Sequence, residues 1–122
     1  MTEVSGERLF ATPAGVTLGP FDLIADGKAR AFVIQMRAGR FHGFVVRRGN
    51  EVFGYVDRCP HAGLPLAQTL DDYLAPDGAH IVCSWHGAVF AVEDGACLGG
   101  PCAGAALTPW PVKVEEGRVV TG

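Results

Sequence analysis

Glycine and proline interrupt this chain so often that no long helix fits between them. The sequence holds 17 glycines and 8 prolines among its 122 residues. Glycine weakens a helix interior and proline breaks one, whereas both are common in the turns that separate short strands. Because apolar residue types make up 48% of the chain, a compact core can form without disulfides. This composition predicts an all-β fold of short antiparallel strands.

Runs of β-branched and aromatic residues indicate where the strands lie. We predict seven strands, at residues 31–36, 41–46, 51–56, 80–83, 88–92, 111–114 and 118–120. Turn residues at 48–50 and 115–117 join neighbouring strands into hairpins, and the pair Gly19 and Pro20 predicts another turn. Residues 66–74 could form a short helical turn. The length is typical of one domain, so 1–122 is predicted to be a single domain.

Charge is distributed unevenly along the chain. Residues 1–58 carry eight Lys or Arg and six Asp or Glu, for +2, whereas residues 59–122 carry two and seven, for −5. An acidic second half argues against nucleic-acid binding and suits docking to a basic protein surface, although ordinary solvated charges also explain it.

We expect neither a membrane span nor an export signal in this sequence. No run approaches the roughly 18 apolar residues that span a bilayer. The first ten residues contain acids and no apolar signal core. We therefore expect a cytoplasmic protein that does not bind a membrane.

Two short motifs supply the residues best suited to chemistry. One is a Cys-X-His motif at Cys59 and His61, and the other is a Cys-X-X-His motif at Cys83 and His86. Each lies in a predicted loop after a strand, so each loop offers one thiolate and one imidazole. Iron–sulfur clusters and zinc both accept these ligands. In a [2Fe–2S] centre of mixed ligation, one iron takes two cysteines and the other takes two histidines.

Zinc is the other metal that this ligand set accommodates, since two Cys and two His form a common structural zinc site. Such sites normally have a cysteine pair followed by a histidine pair. Here each half mixes the two types, and 21 residues separate His61 from Cys83. The pattern favours the iron–sulfur cluster, with a structural zinc module as the alternative. The other two histidines, His42 and His80, are predicted to lie on strands without a chemical role.

The residues around both motifs resemble the two cluster loops of Rieske proteins. The matching stretches are Cys59-Pro-His-Ala-Gly-Leu-Pro-Leu66 and Cys83-Ser-Trp-His-Gly-Ala-Val-Phe90, within a similarity over roughly residues 20–121. The resemblance implies a Rieske fold, with stacked antiparallel sheets and a small cluster-binding subdomain at approximately residues 57–104. It also implies that a [2Fe–2S] cluster is ligated by Cys59, His61, Cys83 and His86.

Positions that differ from respiratory Rieske proteins indicate which kind of Rieske protein to expect. Leu64 and Trp85 stand where those proteins have two further cysteines, so their loop disulfide is absent here. Ala88 and Phe90 stand where they have hydroxyl groups that donate to cluster sulfur. Such donors raise the reduction potential. We therefore expect a potential near the lower end of the Rieske range, about −150 mV.

Two further features are unusual for a minimal ferredoxin. Residues 71–78 form an insertion-like segment between the ligand loops, which we expect to be a solvated hairpin tip, with an acidic docking edge as the alternative. Cys97 and Cys102 flank the pair Gly100 and Pro101, which matches the loop that covers the cluster in the family. We expect Cys102 to be a buried, inert thiol near the cluster, and the alternatives are a thiol that shields the cluster, a weak donor to sulfur or a disulfide with Cys97.

The resemblance is closest to Rieske-type ferredoxins, such as those that supply electrons to ring-hydroxylating dioxygenases. It implies a one-electron carrier that docks with a reductase and a terminal acceptor and needs no small-molecule substrate. His61 and His86 would connect the cluster to the docking surface. An electron carrier or oxidoreductase component is therefore expected, and not a stand-alone catalyst. The alternative is the small Rieske-like subunit of a larger oxidoreductase such as nitrite reductase.

Overall fold

A computed structural model describes residues 8–58, 66, 71, 73–83, 87–100 and 105–122. Over these ranges the chain forms ten strands and a 3-10 helix at Phe21–Leu23. The strands are β1 (Arg8–Leu9), β2 (Thr17–Pro20), β3 (Ala29–Met36), β4 (Gly39–Arg48), β5 (Glu51–Val56), β6 (His80–Val82), β7 (Val89–Ala91), β8 (Cys97–Gly99), β9 (Val112–Glu115) and β10 (Arg118–Thr121). No helix in these ranges is long and apolar enough to cross a membrane.

The strands form three sheets. In the central sheet β4 lies between β3 and β5, both antiparallel to it, and the short β1 runs parallel to the beginning of β4. The second sheet has the order β2–β10–β9 and the third has the order β6–β7–β8, and both are antiparallel. The predicted all-β architecture of antiparallel sheets is confirmed.

Strand β4 explains how the three sheets stack, because its side chains alternate between two cores. Phe41 and Val45 pack on one face with Trp110, in the core shared with the β2–β10–β9 sheet. Phe44 and Val46 pack on the other face, in the core shared with the β6–β7–β8 sheet. All four β4 side chains are fully buried. The central sheet is therefore covered on both faces, and the second core includes Cys83, the first residue of the second motif.

Trp110 attaches the β2–β10–β9 sheet to the central sheet. Its ring centroid lies 4.7 Å from that of Phe41, and its Nε1 donates to Thr12 Oγ1 at 2.8 Å. A Cβ at Gly43 would lie 2.6 Å from the Trp110 ring, so a glycine is needed beneath it. The indole therefore stabilises the fold both by packing and by a satisfied polar group.

All seven predicted strands are present, with ends that differ by at most two residues from the observed ones. Strands β1, β2 and β8 were not predicted. The turn predicted at Gly19 and Pro20 is wrong, because both residues belong to β2, where Pro20 pairs with Arg118 of β10. The helical turn predicted at residues 66–74 lies largely outside the described residues, and within it Leu74 forms a β-bridge with Ile81.

Candidate metal centre

The second ligand motif begins where β6 ends. Cys83 follows Val82 directly, and its side chain is only 1% exposed, within the core between the central sheet and the β6–β7–β8 sheet. The Cys83 N–H donates to the Ala88 carbonyl at 2.8 Å, and the Gly87 N–H donates to the Cys83 carbonyl at 2.9 Å. These two bonds close a narrow loop between β6 and β7 with the thiol at its base. His86 lies outside the described residues.

The end of β8 approaches this loop closely. Gly100 has a φ of +93°, and a Cβ there would lie 2.8 Å from the Ala88 Cα. Only glycine permits both the backbone conformation and the contact. The Gly-Pro loop therefore starts beside the second ligand loop, while its continuation with Cys102 lies outside the described residues. The Cys97 thiol donates to the Gly99 carbonyl at 3.3 Å.

The first ligand motif follows β5, and Asp57 closes the base of its loop. The Asp57 N–H donates to the His42 carbonyl at 2.9 Å, which extends the β4–β5 pairing by one residue. Asp57 Oδ1 accepts the Leu66 N–H at 2.8 Å, and Oδ2 accepts the Tyr73 hydroxyl at 2.8 Å. Asp57 is 8% exposed and Leu66 is fully buried. Cys59 and His61, which lie between these anchors in sequence, are outside the described residues.

Residues 71–78 are more than a solvated hairpin tip. Tyr73 is 3% exposed, and its ring stacks on Phe44 with centroids 4.2 Å apart and an interplanar angle of 7°. Asp71 Oδ1 accepts the Ala31 N–H at 2.7 Å. Pro76 and Asp77 are exposed, so the prediction holds for the tip. It is wrong for Tyr73, because this side chain covers the apolar face of β4.

The Tyr73 hydroxyl keeps its proton at neutral and moderately alkaline pH and so remains a hydrogen-bond donor. Burial raises the pKa of Tyr73 far above its ordinary value, and the charge of Asp57 and the hydrogen bond to it raise this pKa further. Neither Asp57 nor Tyr73 was among the predicted site residues. The sequence does contain a signal for Asp57, because it directly follows an apolar strand and lies two residues before Cys59. An acid buried at such a position needs a hydrogen-bond partner.

The described residues fit a bound [2Fe–2S] cluster. Cys83, the described member of the proposed ligand set, is a thiol shielded from water at the base of a closed loop. Ala88 and Phe90 beside it are fully buried and bear no hydroxyl group. The bases of the two ligand loops are also linked, because Tyr73 contacts Asp57 through its hydroxyl and Val82 through its carbonyl.

A sequence model of the Rieske [2Fe-2S] domain matches residues 22–115, which is most of the chain. The chain belongs to the Rieske [2Fe–2S] domain family. Membership decides between the two metals that the ligand pattern left open, because the centre of this family is an iron–sulfur cluster and not zinc. The cofactor expected from the two motifs is thereby confirmed.

Similar proteins include Rieske ferredoxins. The ferredoxin component of the alkene monooxygenase system of Xanthobacter autotrophicus is 30% identical over 104 residues, covering 85% of this chain and 70% of that protein. The ferredoxin of carbazole 1,9a-dioxygenase from Nocardioides aromaticivorans superposes with a TM-score of 0.70 at 24% identity, covering 90% of this chain and 98% of that one.

A second solved structure is a complex of reduced oxygenase and oxidized ferredoxin in carbazole 1,9a-dioxygenase. A chain of that complex matches with a TM-score of 0.71 at 25% identity, covering 91% of this chain and 94% of its own length. The two structures confirm the Rieske fold expected from the sequence.

Proposed function

We propose that this chain carries single electrons as the ferredoxin component of a multicomponent oxygenase or a related redox system. The cluster ligands in this proposal are Cys59, His61, Cys83 and His86. The observation that carries it is the pair of ligand loops closed at their bases, with Cys83 buried in one of them. The likeness to the ferredoxin component of alkene monooxygenase, which extends over 70% of that protein, gives further support.

When bound, the cluster supplies a reversible one-electron couple. The chain itself holds the ligand loops and excludes water from the cysteine side, since Cys83 lies in the core and Gly100 packs against Ala88. The role proposed for His61 and His86, from the family resemblance, is to bind the second iron and to face the docked partner. Those partners would be a reductase and a terminal acceptor, and no small-molecule substrate is required.

We also propose a low reduction potential, about −150 mV at the lower end of the Rieske range. Its support is the apolar base of the second ligand loop, where the fully buried Ala88 and Phe90 offer no hydroxyl donor. A spectroscopic redox titration tests this value. A midpoint above about +100 mV would contradict it, since that belongs to the upper part of the range.

Domain organisation and location complete the proposal. The whole chain, 1–122, acts as one domain, with the cluster-binding part at approximately residues 57–104; the core that joins the β6–β7–β8 sheet to the central sheet supports this. We also propose a cytoplasmic location, as expected from the sequence. Cell fractionation with an antibody to the chain tests the location.

The electron-carrier function is tested by anaerobic reductive titration with dithionite. We expect the partial decrease in cluster absorbance to be complete after one electron per chain, and rapid reoxidation by a one-electron acceptor such as cytochrome c. A requirement for two electrons would contradict the proposal. The alternative, a small subunit of an enzyme such as nitrite reductase, predicts that the tagged chain purifies from its native cells with a large catalytic protein in fixed stoichiometry.

A further inference from the structure

We propose that Tyr73, together with Asp57, sets the position of the two ligand loops relative to each other, and is therefore a positioning residue for the cluster. This inference rests on the ligand assignment in the proposed function. It goes beyond that assignment, because Tyr73 belongs to neither loop and bears no metal-ligating group.

The backbone of Tyr73 is attached to the second ligand loop. Its carbonyl accepts the Val82 N–H at 2.9 Å, and Val82 directly precedes Cys83. The next residue, Leu74, forms an antiparallel bridge with Ile81. Tyr73 is therefore paired with β6 at the point from which the second loop leaves.

The side chain of Tyr73 is attached to the first ligand loop. Its hydroxyl donates to Asp57 Oδ2 at 2.8 Å, while Asp57 Oδ1 accepts the Leu66 N–H. Asp57 lies two residues before Cys59, and Leu66 lies on the far side of His61 in sequence. The Asp57 carboxylate thus links the chain before the first ligand loop to the chain after it. The Tyr73 hydroxyl links both to the residue that pairs with β6.

Packing fixes the geometry of this link. The Tyr73 ring is stacked on the fully buried Phe44, so the core fixes the direction in which its hydroxyl points. Each ligand loop supplies one cysteine and one histidine, so each iron of the cluster takes one ligand from each loop. A metal site needs its supporting side chains to hold the ligands within about 0.5 Å. Because Tyr73 joins the bases of both loops, a change in its position would shift ligands of both irons.

Tyr55 provides a matched control. It is the other tyrosine of the chain, it is also 3% exposed, and its ring also contacts Phe44, with centroids 5.9 Å apart. Its hydroxyl donates to the Val92 carbonyl, at the turn that follows β7. Tyr55→Phe therefore removes a buried hydrogen bond of similar kind without breaking the link between the ligand loops.

The test compares anaerobically purified wild-type protein, Tyr73→Phe and Tyr55→Phe, each with its cluster. Cluster loss to an excess of an iron chelator is followed by visible absorbance, the reduced state is recorded by EPR, and thermal unfolding is measured in parallel. We expect Tyr73→Phe to lose its cluster at least about tenfold faster than wild type, the factor that a hydrogen bond to a carboxylate supplies. Its EPR g values should shift. Tyr55→Phe should unfold at a similarly lowered temperature, with cluster loss and g values as in wild type.

Asp57→Asn and Asp57→Ala complete the set. Asparagine keeps one acceptor oxygen for the Leu66 N–H, and its amide group can donate to the Tyr73 hydroxyl oxygen, whereas alanine keeps neither contact, so Asn should restore part of the wild-type cluster retention that Ala loses. Equal rates of cluster loss in Tyr73→Phe and Tyr55→Phe, or unchanged EPR spectra in Tyr73→Phe, would overturn the positioning role. A wild-type protein that holds no iron–sulfur cluster would instead overturn the proposed function, so the two failures are distinguishable.

Discussion

Replacing Ala88 by serine should raise the reduction potential of the cluster. Ala88 is fully buried, and its carbonyl accepts the Cys83 N–H that closes the second ligand loop. Ser at this position restores the hydroxyl that the resemblance places there in respiratory Rieske proteins. Because water does not reach the position, a donor there acts on cluster sulfur without competition from solvent.

The size of the effect follows from the strength of such a bond. A hydrogen bond to a charged acceptor contributes about 1.5–3 kcal/mol. Only the part that strengthens on reduction changes the potential; if that part is about half, the reduced state gains about 0.75–1.5 kcal/mol. About 59 mV corresponds to about 1.4 kcal/mol for one electron. We therefore expect a rise of about 30–60 mV in Ala88→Ser.

The assay is a spectroscopic redox titration of both proteins at one pH, with iron and sulfide content measured on the same samples. Ala91→Ser is the control, since Ala91 lies three residues after Ala88, at the end of β7 and opposite His80, and is only partly buried. Its potential should stay at the wild-type value. An unchanged or lowered potential in Ala88→Ser, with full cluster content, would refute the argument that the apolar loop base keeps the potential low.

Two further predictions concern stability. Gly100→Ala should lower the free energy of unfolding by about 1–3 kcal/mol, the usual cost of a strained backbone, because of the φ of +93° and the close approach to Ala88. Gly99→Ala, where an added Cβ meets nothing within 4 Å, should cost less in the same thermal melts, and equal losses would contradict the argument. Burial and the charges of Asp94 and Glu93 raise the pKa of Tyr55 to about 12, so above pH 10 the unfolded chain ionises first and stability should fall up to about pH 12. This fall should be smaller in Tyr55→Phe, and an equal fall in denaturant titrations at pH 9–12 would count against it.

The sequence predicted those parts of the fold that depend on local residue types. The long strands β3, β4 and β5 are rich in valine and aromatic residues, which favour strands. In contrast, β2 contains Gly19 and Pro20, which locally favour a turn. It is a strand because β10 pairs with it, and this pairing brings together residues about a hundred positions apart in the chain.

The candidate site also has a part that local sequence predicts and a part that depends on tertiary contacts. Two short motifs predict the proposed ligands, since their spacing is local. Asp57 and Tyr73 were missed because their roles arise from contacts between residues that are distant in sequence and close in the fold. The segment at 71–78 has the composition of a solvated loop, and only the stacking of Tyr73 on Phe44 shows that part of it belongs to the core.

Pulsed EPR of the reduced protein, combined with metal analysis, tests the central claim most directly. If Cys59, His61, Cys83 and His86 hold the cluster, each chain contains two iron and two sulfide ions, and the spectrum shows hyperfine coupling from two coordinated imidazole nitrogens. Replacing His86 with cysteine should remove the coupling of one nitrogen, and His61→Cys should do the same. Two iron ions per chain without nitrogen coupling, or one zinc ion in their place, would contradict the account.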